Sequence, residues 1–187
     1  MSDINNIEII ESQLRQVFAS VVWSHKIQEK QADIYLKKFN RLEFLRILLS
    51  AVTSSGIFAV VFVDNFCLKL VTAIVSAISL FITTYFKSYD LKSLQKQHKK
   101  SALEWLELRE NIMTVLCDIS LNKYDEDELI KKRDEFVKKK IEIAKETLDP
   151  EEKAVKQASK DLKIRQDNTY TDEEIDSYLP KLARKDK

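Results

Sequence analysis

The sequence has few of the residues that make tight turns. Among 187 residues, glycine occurs once, at Gly56, and proline twice, at Pro150 and Pro180. Sandwiches and barrels of short strands need many turns, so this composition nearly excludes both. A single glycine also excludes the glycine-rich loops that hold phosphates in dinucleotide-binding and P-loop proteins. The class that remains is a protein built from long helices.

Residues that ligate metals or form disulfides are equally sparse. Cysteine occurs only at Cys67 and Cys117, and histidine only at His25 and His98. No C-x-x-C or H-x-x-x-H spacing exists, so we expect neither a zinc site nor a disulfide framework. No Ser/His/Asp or Cys/His arrangement is suggested either. We therefore expect no cofactor and no enzymatic activity.

The overall charge is balanced. Lys and Arg number 31 and Asp and Glu 30, which gives a net charge of +1. The basic runs at 131–133 and 138–140 are interleaved with acidic residues that cancel their field. We therefore expect no direct binding of nucleic acid.

Two uncharged apolar runs stand out in a chain that is 33% charged: residues 47–63 and 70–86, each of 17 residues. Each would span about 25 Å as a helix, against about 30 Å of membrane hydrocarbon. A soluble core helix normally shows a polar stripe with charges, and these runs have none. We therefore predict a transmembrane hairpin over residues 44–86, with membrane-interface anchors at Arg46, Lys69 and Lys87.

The basic residues around the hairpin predict its orientation. Nine of them flank the two runs on the side of the termini, and only Lys69 lies in the connecting loop. By the positive-inside rule both termini are cytoplasmic. Residues 1–43 would then form N-terminal cytoplasmic helices and residues 87–187 a C-terminal cytoplasmic helical region, with the lipid bilayer as a partner of the hairpin.

Apolar spacing predicts helices on both sides of the hairpin. We expect a helix over residues 4–22, a bend at residues 23–25, and one continuous helix from about Ser24 to Val63. The second apolar helix should continue into the C-terminal region. There, apolar residues at three- and four-residue steps form a seam that can face a helix of the same chain or another subunit. This assembly seam comprises Leu94, Ala102, Trp105, Ile112 and Leu116.

Capping signals predict where the later helices begin and end. Asn122 is expected to cap the seam helix, and a further helix should cover about 125–147. Asp149 followed by Pro150 predicts the start of another helix. Thr171 and Glu174 have the spacing of a capping box for a last short helix.

Hydroxyl side chains lie at helical spacing within the apolar runs. Small residues let helices approach closely and hydroxyls bond across the contact, which is the reading that we favour. The alternative is that they line a narrow aqueous path, which would require several chains because two helices cannot enclose water. The candidates for either role are Ser50 and Ser54 in the first run and Thr72, Ser76, Ser79 and Thr83 in the second.

The order of motifs resembles a known bacterial family. The segments WSHK at 23–26 and ADIY at 32–35 precede the hairpin, and QHK at 97–99 and ALEWLELRE at 102–110 follow it. The chain closes with EEID at 173–176 and the pair Leu179 and Pro180. This pattern is similar to that of the SLATT family, the SMODS- and SLOG-associating two-transmembrane effector domains.

The resemblance implies a role in antiphage defence at the bacterial inner membrane. Members are typically encoded beside a nucleotide-second-messenger synthase, a nucleotide sensor or a reverse transcriptase, any of which is a candidate partner. They are proposed to perforate the membrane when triggered. Our leading hypothesis is therefore a homo-oligomeric effector that opens a pore on a cytoplasmic, nucleotide-linked signal. The alternatives are a membrane-anchored helical scaffold that recruits a partner and a small housekeeping ion channel.

The predicted orientation can be tested with the two cysteines. Cys67, in the loop between the runs, should react with a membrane-impermeant thiol reagent on cells permeable only at the outer membrane. Cys117 should react only after lysis, because the bilayer separates it from the reagent. The reverse labelling pattern would overturn the charge argument.

Overall fold

The structure, a computed structural model, describes residues 6–167 and 170–178. The predicted Leu179 and Pro180 motif and the side chain of the predicted anchor Lys87 lie outside the described residues. Within the described part the chain is all helical, as predicted, and contains no strand. The helices are α1 (Asn6–Phe62), α2 (Phe66–Ser88), α3 (Leu91–Ser120), α4 (Glu126–Glu146), α5 (Glu152–Lys163) and α6 (Asp172–Tyr178).

Helix α1 is unbroken over 57 residues, which corresponds to a length of about 86 Å. The predicted continuity from Ser24 is confirmed, but the predicted bend at residues 23–25 is wrong. Val21, His25, Gln28 and Ala32 are all buried on one face at helical steps. Because this segment has no glycine or proline and packs along that whole face, nothing interrupts the helix.

The predicted continuation of the second apolar helix is also wrong. Helix α2 ends at Ser88, and α3 begins at Leu91 after a connection of two residues. Asp90 caps α3 by accepting a hydrogen bond from the backbone N–H of Ser93 at 2.9 Å. Tyr89 has extended backbone angles, and its ring stacks on Tyr85 with centroids 4.8 Å apart. The aspartate thus supplies a helix start where apolar spacing alone predicted none.

The packed core lies between the N-terminal half of α1, α3 and α4. One cluster joins Ile10 and Leu14 of α1 to α3 and to Leu129 of α4. A second joins Val21 of α1 to Trp105 and Ile112 of α3. These apolar contacts bury the seam face of α3 against a helix of the same chain.

Most of the predicted seam lies on this buried face. Ala102, Trp105 and Ile112 are at most 3% exposed, whereas Leu94 and Leu116 are half-buried. Leu108 and Val115 are also buried there and were not among the predicted members. The side chains of the seam are therefore used within the chain, and a contribution to assembly between subunits stays a prediction.

Caps end and start the C-terminal helices. The cap residue of α3 is Leu121, and the predicted Asn122 follows it with a left-handed φ of 53°. Helix α4 closely matches its predicted range and starts with a capping box between Asp125 and Glu128. The capping box at Thr171 is confirmed, since its hydroxyl oxygen accepts from the Glu174 N–H at 3.3 Å. Such pairs satisfy N–H groups that have no partner inside a helix.

The predicted helix start at Asp149 and Pro150 is wrong. Helix α5 begins at Glu152, and its cap residue Glu151 forms no side-chain capping bond. Instead, the backbone N–H of Glu151 donates to the side-chain oxygen of Gln31 at 2.8 Å. The cap residue of α5 is thus held by a tertiary contact with α1.

Trp105 should be a large contributor to stability. Its side chain is 3% exposed, and its ring nitrogen is buried with no hydrogen-bond partner among the residues that the structure describes, so packing is its main contribution. We expect Trp105→Ala to lower the free energy of unfolding by about 3–5 kcal/mol. Chemical unfolding followed by helicity in detergent would measure this loss. Leu103→Ala is the matched control on α3, because Leu103 is 54% exposed; equal losses in the two variants would contradict the packing described here.

Candidate functional site

Two helical stretches present an uncovered apolar surface. Each is at least 18 residues long and apolar enough to cross a membrane, and none of its residues is buried within the chain. The first lies in α1 and the second in the helical region that begins at Phe66. Large side chains such as Phe58, Val61 and Phe81 are more than 70% exposed. A core helix of a soluble protein would bury these groups, so this surface fits a lipid environment.

The two apolar helices contact each other through small residues. A groove of about 440 Å³ between them is lined by Ala51, Ser55 and Ala59 of α1 and by Thr72 and Val75 of α2, among others. A Cβ atom added at Gly56 would lie 2.8 Å from the Thr72 hydroxyl oxygen. A larger residue at this position would therefore require the Thr72 side chain to move. Close approach over small residues is a common way for membrane helices to pack.

The structure divides the predicted hydroxyl residues into two groups. Thr72, Ser76 and Ser79 are half-buried, whereas Ser50, Ser54 and Thr83 are exposed. The hydroxyls of Ser76, Thr83 and Ser54 each donate to the backbone oxygen four residues earlier, at 2.8–3.0 Å. The hydrogen atom of each of these hydroxyls is thus used within its own helix, whereas the hydroxyl oxygen can still accept a hydrogen bond. Whether these hydroxyl residues pack helices together or line an aqueous path therefore stays a prediction.

Charged and aromatic side chains gather at one end of the apolar stretches. The guanidinium of Arg46 pairs with Glu43 at 2.6 Å and lies 5.4 Å from the centre of the Phe86 ring. Phe86 in turn packs edge-on against Phe39 of α1. At the other end of these stretches, Lys69 is exposed and pairs with Asp64. Both positions suit the predicted anchoring role, which the structure does not test.

Beyond the apolar stretches, α1 and α3 share a buried polar junction, which we define by Gln28, Gln31 and His98. The Nδ1 of His98 lies 2.5 Å from the side-chain oxygen of Gln28. The amide nitrogen of Gln28 donates to the backbone oxygen of Leu148 at 3.2 Å. Because the amide group is oriented by that bond, Nδ1 of His98 carries the proton. Tyr35 stacks on the imidazole with centroids 5.4 Å apart.

The two glutamines hold the connection between α4 and α5 against α1. Gln28 bonds Leu148, and Gln31 accepts from the Glu151 N–H. The amide nitrogen of Gln31 is buried without a partner among the described residues. The polar junction therefore links three parts of the fold through side chains that are at most 3% exposed.

Ion pairs attach the α5 region to α1. Lys30 lies 2.5 Å from Asp161, and the nearly buried Lys26 lies 2.9 Å from Asp167 and 3.1 Å from Glu29. Burial alone would lower the pKa of Lys26, but the hydrogen bonds that its ammonium donates to Asp167 and Glu29 raise it above its ordinary value. The hydrogen bond from Lys30 lowers the pKa of Asp161. These groups are therefore charged at neutral pH and form paired contacts.

The comparison with family models decides the identity. Residues 10–174 match the model of the SMODS and SLOG-associating 2TM effector domain family 4. The chain belongs to this SLATT family. No curated protein and no solved structure matches it significantly. The family is a two-transmembrane effector domain associated with defence systems, which agrees with the two uncovered apolar helices.

Sequence reasoning did not assign a role to the polar junction of this SLATT domain. Helical periodicity predicts apolar residues at the positions of Gln28, Gln31 and His98. The polar side chains interrupt that apolar pattern, and this interruption is the sequence signal that could have identified the junction. Their partners Leu148 and Glu151 lie 120 residues from the glutamines, so no local pattern could identify them. Within the described residues no group of His, Cys, Asp or Glu is placed to hold a metal. Both cysteines are exposed thiols.

The histidines of the SLATT domain should make its stability depend on pH. Burial is the main cause that lowers the pKa of both His25 and His98 below the ordinary value of 6.5. Arg109 adds to the shift at His25, whereas Glu151 opposes it at His98. Just below pH 6.5 the unfolded chain therefore binds more protons than the folded chain, and stability falls as pH falls.

We expect the unfolding midpoint in detergent to drop as the pH is lowered from about 7 to about 5.5. The double variant His25→Gln/His98→Gln should show a smaller drop, because it removes the groups that take up protons in this window. The carboxylates with a lowered pKa, which are Glu29, Asp118 and Asp161, contribute only at lower pH. Identical pH profiles for the variant and the natural chain would contradict this assignment.

Proposed function

We propose that the chain is a defence effector of the bacterial inner membrane that oligomerises and opens a pore on a cytoplasmic signal. The observation that carries the proposal is the pair of membrane-length helices whose apolar faces remain uncovered, in a member of a two-transmembrane effector family. In this proposal both termini are cytoplasmic, and the hairpin of α1 and α2 spans the bilayer. Enzymatic activity plays no part in it.

Several chains are needed for a pore because α1 and α2 alone cannot enclose water. The exposed hydroxyls of Ser50, Ser54 and Thr83 are available to a neighbouring subunit or to a lumen. The half-buried Thr72, Ser76 and Ser79 favour a packing role within the chain. We therefore assign the lumen to the face of α1 that carries Ser50 and Ser54, since polar lining groups keep a narrow path hydrated.

The family association supports a partner that delivers the signal. A synthase of nucleotide second messengers, a nucleotide sensor or a reverse transcriptase encoded nearby would fill that role. The packed core of α1, α3 and α4 would receive the signal. Because α1 is continuous from this core into its apolar half, a change in the core has a direct route to the proposed pore.

Two other functions share the same architecture. A membrane-anchored scaffold would need the apolar helices only for attachment, whereas a housekeeping ion channel would conduct ions outside infection. Replacing residues 44–86 with an unrelated two-helix anchor distinguishes the scaffold from the pore. Protection against phage that survives this exchange supports the scaffold. Protection that is lost while the protein still inserts supports the pore, and the gene neighbourhood separates defence from housekeeping.

The proposed lumen predicts different effects for two matched serine pairs. Ser50→Ala/Ser54→Ala should lower the current through the full chain reconstituted in planar bilayers, because it removes lining hydroxyls and makes the path prone to dewetting. Ser76→Ala/Ser79→Ala should change the current little, since these serines are half-buried. Interhelical hydroxyl bonds contribute only about 0.6 kcal/mol on average, so both variants should assemble.

The same variants can be examined in infected cells that carry the neighbouring genes. The natural chain should depolarise the inner membrane, as reported by a potential-sensitive dye, and the Ser50/Ser54 variant should do so less. Protection with a normal membrane potential would contradict the pore. Equal currents for both serine pairs and the natural chain would rule out the assignment of the lumen to Ser50 and Ser54.

A further inference from the structure

A cavity of about 640 Å³ lies where α1, α2 and the start of α5 meet. Its volume is in the range of small-molecule sites. One side is apolar and includes Leu42 and Leu45 of α1 and Phe81 of α2. The other side is basic and includes Lys37 and Arg41 of α1. The cavity is therefore amphipathic. Different turns of α1 contribute to its charged and apolar walls, and α2 adds Phe81 to the apolar wall.

The basic wall has unbalanced positive charge. Lys37 and Arg41 lie one helical turn apart on α1, and Lys153 approaches from α5. None of the three forms an ion pair with a described residue, and Glu151 is the one acid among the residues that line the cavity. Lys38 lies near the Tyr85 ring, and the hydrogen bond that its ammonium donates to Tyr85 raises the pKa of Lys38, so it too is charged. Such a wall is complementary to a phosphate group.

The position of the cavity along α1 indicates the source of that phosphate. Arg41 precedes the uncharged run at residue 47 by six residues, which is about 9 Å along a helix. The headgroup layer extends roughly 5–8 Å beyond the hydrocarbon on each side. If the apolar stretches span the bilayer, Arg41 lies at the outer edge of the headgroup layer and Lys37 one turn further out, within reach of a lipid phosphate through their long side chains. Of the apolar wall, Leu45 lies close to the hydrocarbon boundary and Phe81 lies inside it.

We propose that this cavity binds an anionic membrane lipid, with its phosphate between Lys37, Arg41 and Lys153 and its acyl chain along Leu42, Leu45 and Phe81. A free phosphate or a soluble phosphate ester would satisfy the basic wall but make no use of the apolar wall of the cavity. The bound lipid would connect α5 to α1 and α2. This inference does not depend on pore formation, since binding alone is at issue.

The test uses the full chain purified in a neutral detergent. Short-chain phosphatidylglycerol and phosphatidylcholine with the same acyl chains are titrated, and bound lipid is counted by native mass spectrometry. We expect the anionic lipid to bind about tenfold or more tightly than the zwitterionic one, because no positive group in its headgroup neutralises the phosphate. Lys37→Gln/Arg41→Gln should remove most of that preference. Lys96→Gln/Lys131→Gln is the matched control, since it removes the same charge from exposed positions that do not line the cavity.

Two further arms make each result decisive. Inorganic phosphate and glycerol 3-phosphate, each added at a concentration near the dissociation constant of the lipid, should not displace the lipid. Displacement would assign the cavity to a soluble phosphate compound and overturn the proposal. Equal binding of the two lipids, or an equal loss in the control variant, would also overturn it. If Lys37→Gln/Arg41→Gln loses helicity, Lys153→Gln tests the same wall from the exposed side of α5, and unchanged preference there counts against the proposal.

Discussion

The described packing depends on one constraint, which is that α1 remains a single helix through two different environments. Its apolar half is uncovered and contacts α2, whereas its other half is buried against α3, α4 and α5. Helices shorter than a few turns are marginal alone and gain stability from packing. Because α2, α3, α4 and α5 all pack on α1, an interruption near its middle would separate the uncovered surface from the packed core.

Periodicity and composition predicted the parts of the fold that depend on local patterns. The apolar runs, the all-helical class and the buried positions of Ala102, Trp105 and Ile112 follow from residue types at helical spacing. The capping boxes at Asp125 and Thr171 are local as well, although only the second was named as one. These features need no knowledge of partners far along the chain, and for that reason they could be read from the sequence.

The remaining features depend on contacts between distant residues. A bend was predicted at residues 23–25, yet burial of His25 and its neighbours against other elements accompanies a helix that is unbroken there. The start of α5 was misplaced by two residues, and the contact of Gln31 with the Glu151 N–H is one that no local pattern shows. The break before α3 was missed although Asp90 is a good capping residue. In the candidate site, hydropathy predicted the uncovered helices, but the cavity beside Arg41 requires α5, which no local signal places there.

The two connections between the apolar stretches and the packed core differ in mechanical character. Along α1 an uninterrupted ladder of backbone hydrogen bonds transmits torsion from Leu14 to Gly56. Between α2 and α3 the ladder stops at Tyr89 and Asp90, where the backbone dihedrals can absorb a twist. Rotation of the core about the long axis would therefore turn α1 relative to α2 instead of turning both together. Such a rotation would disturb the close approach of Gly56 and Thr72, where an added Cβ atom would lie 2.8 Å from the Thr72 hydroxyl oxygen.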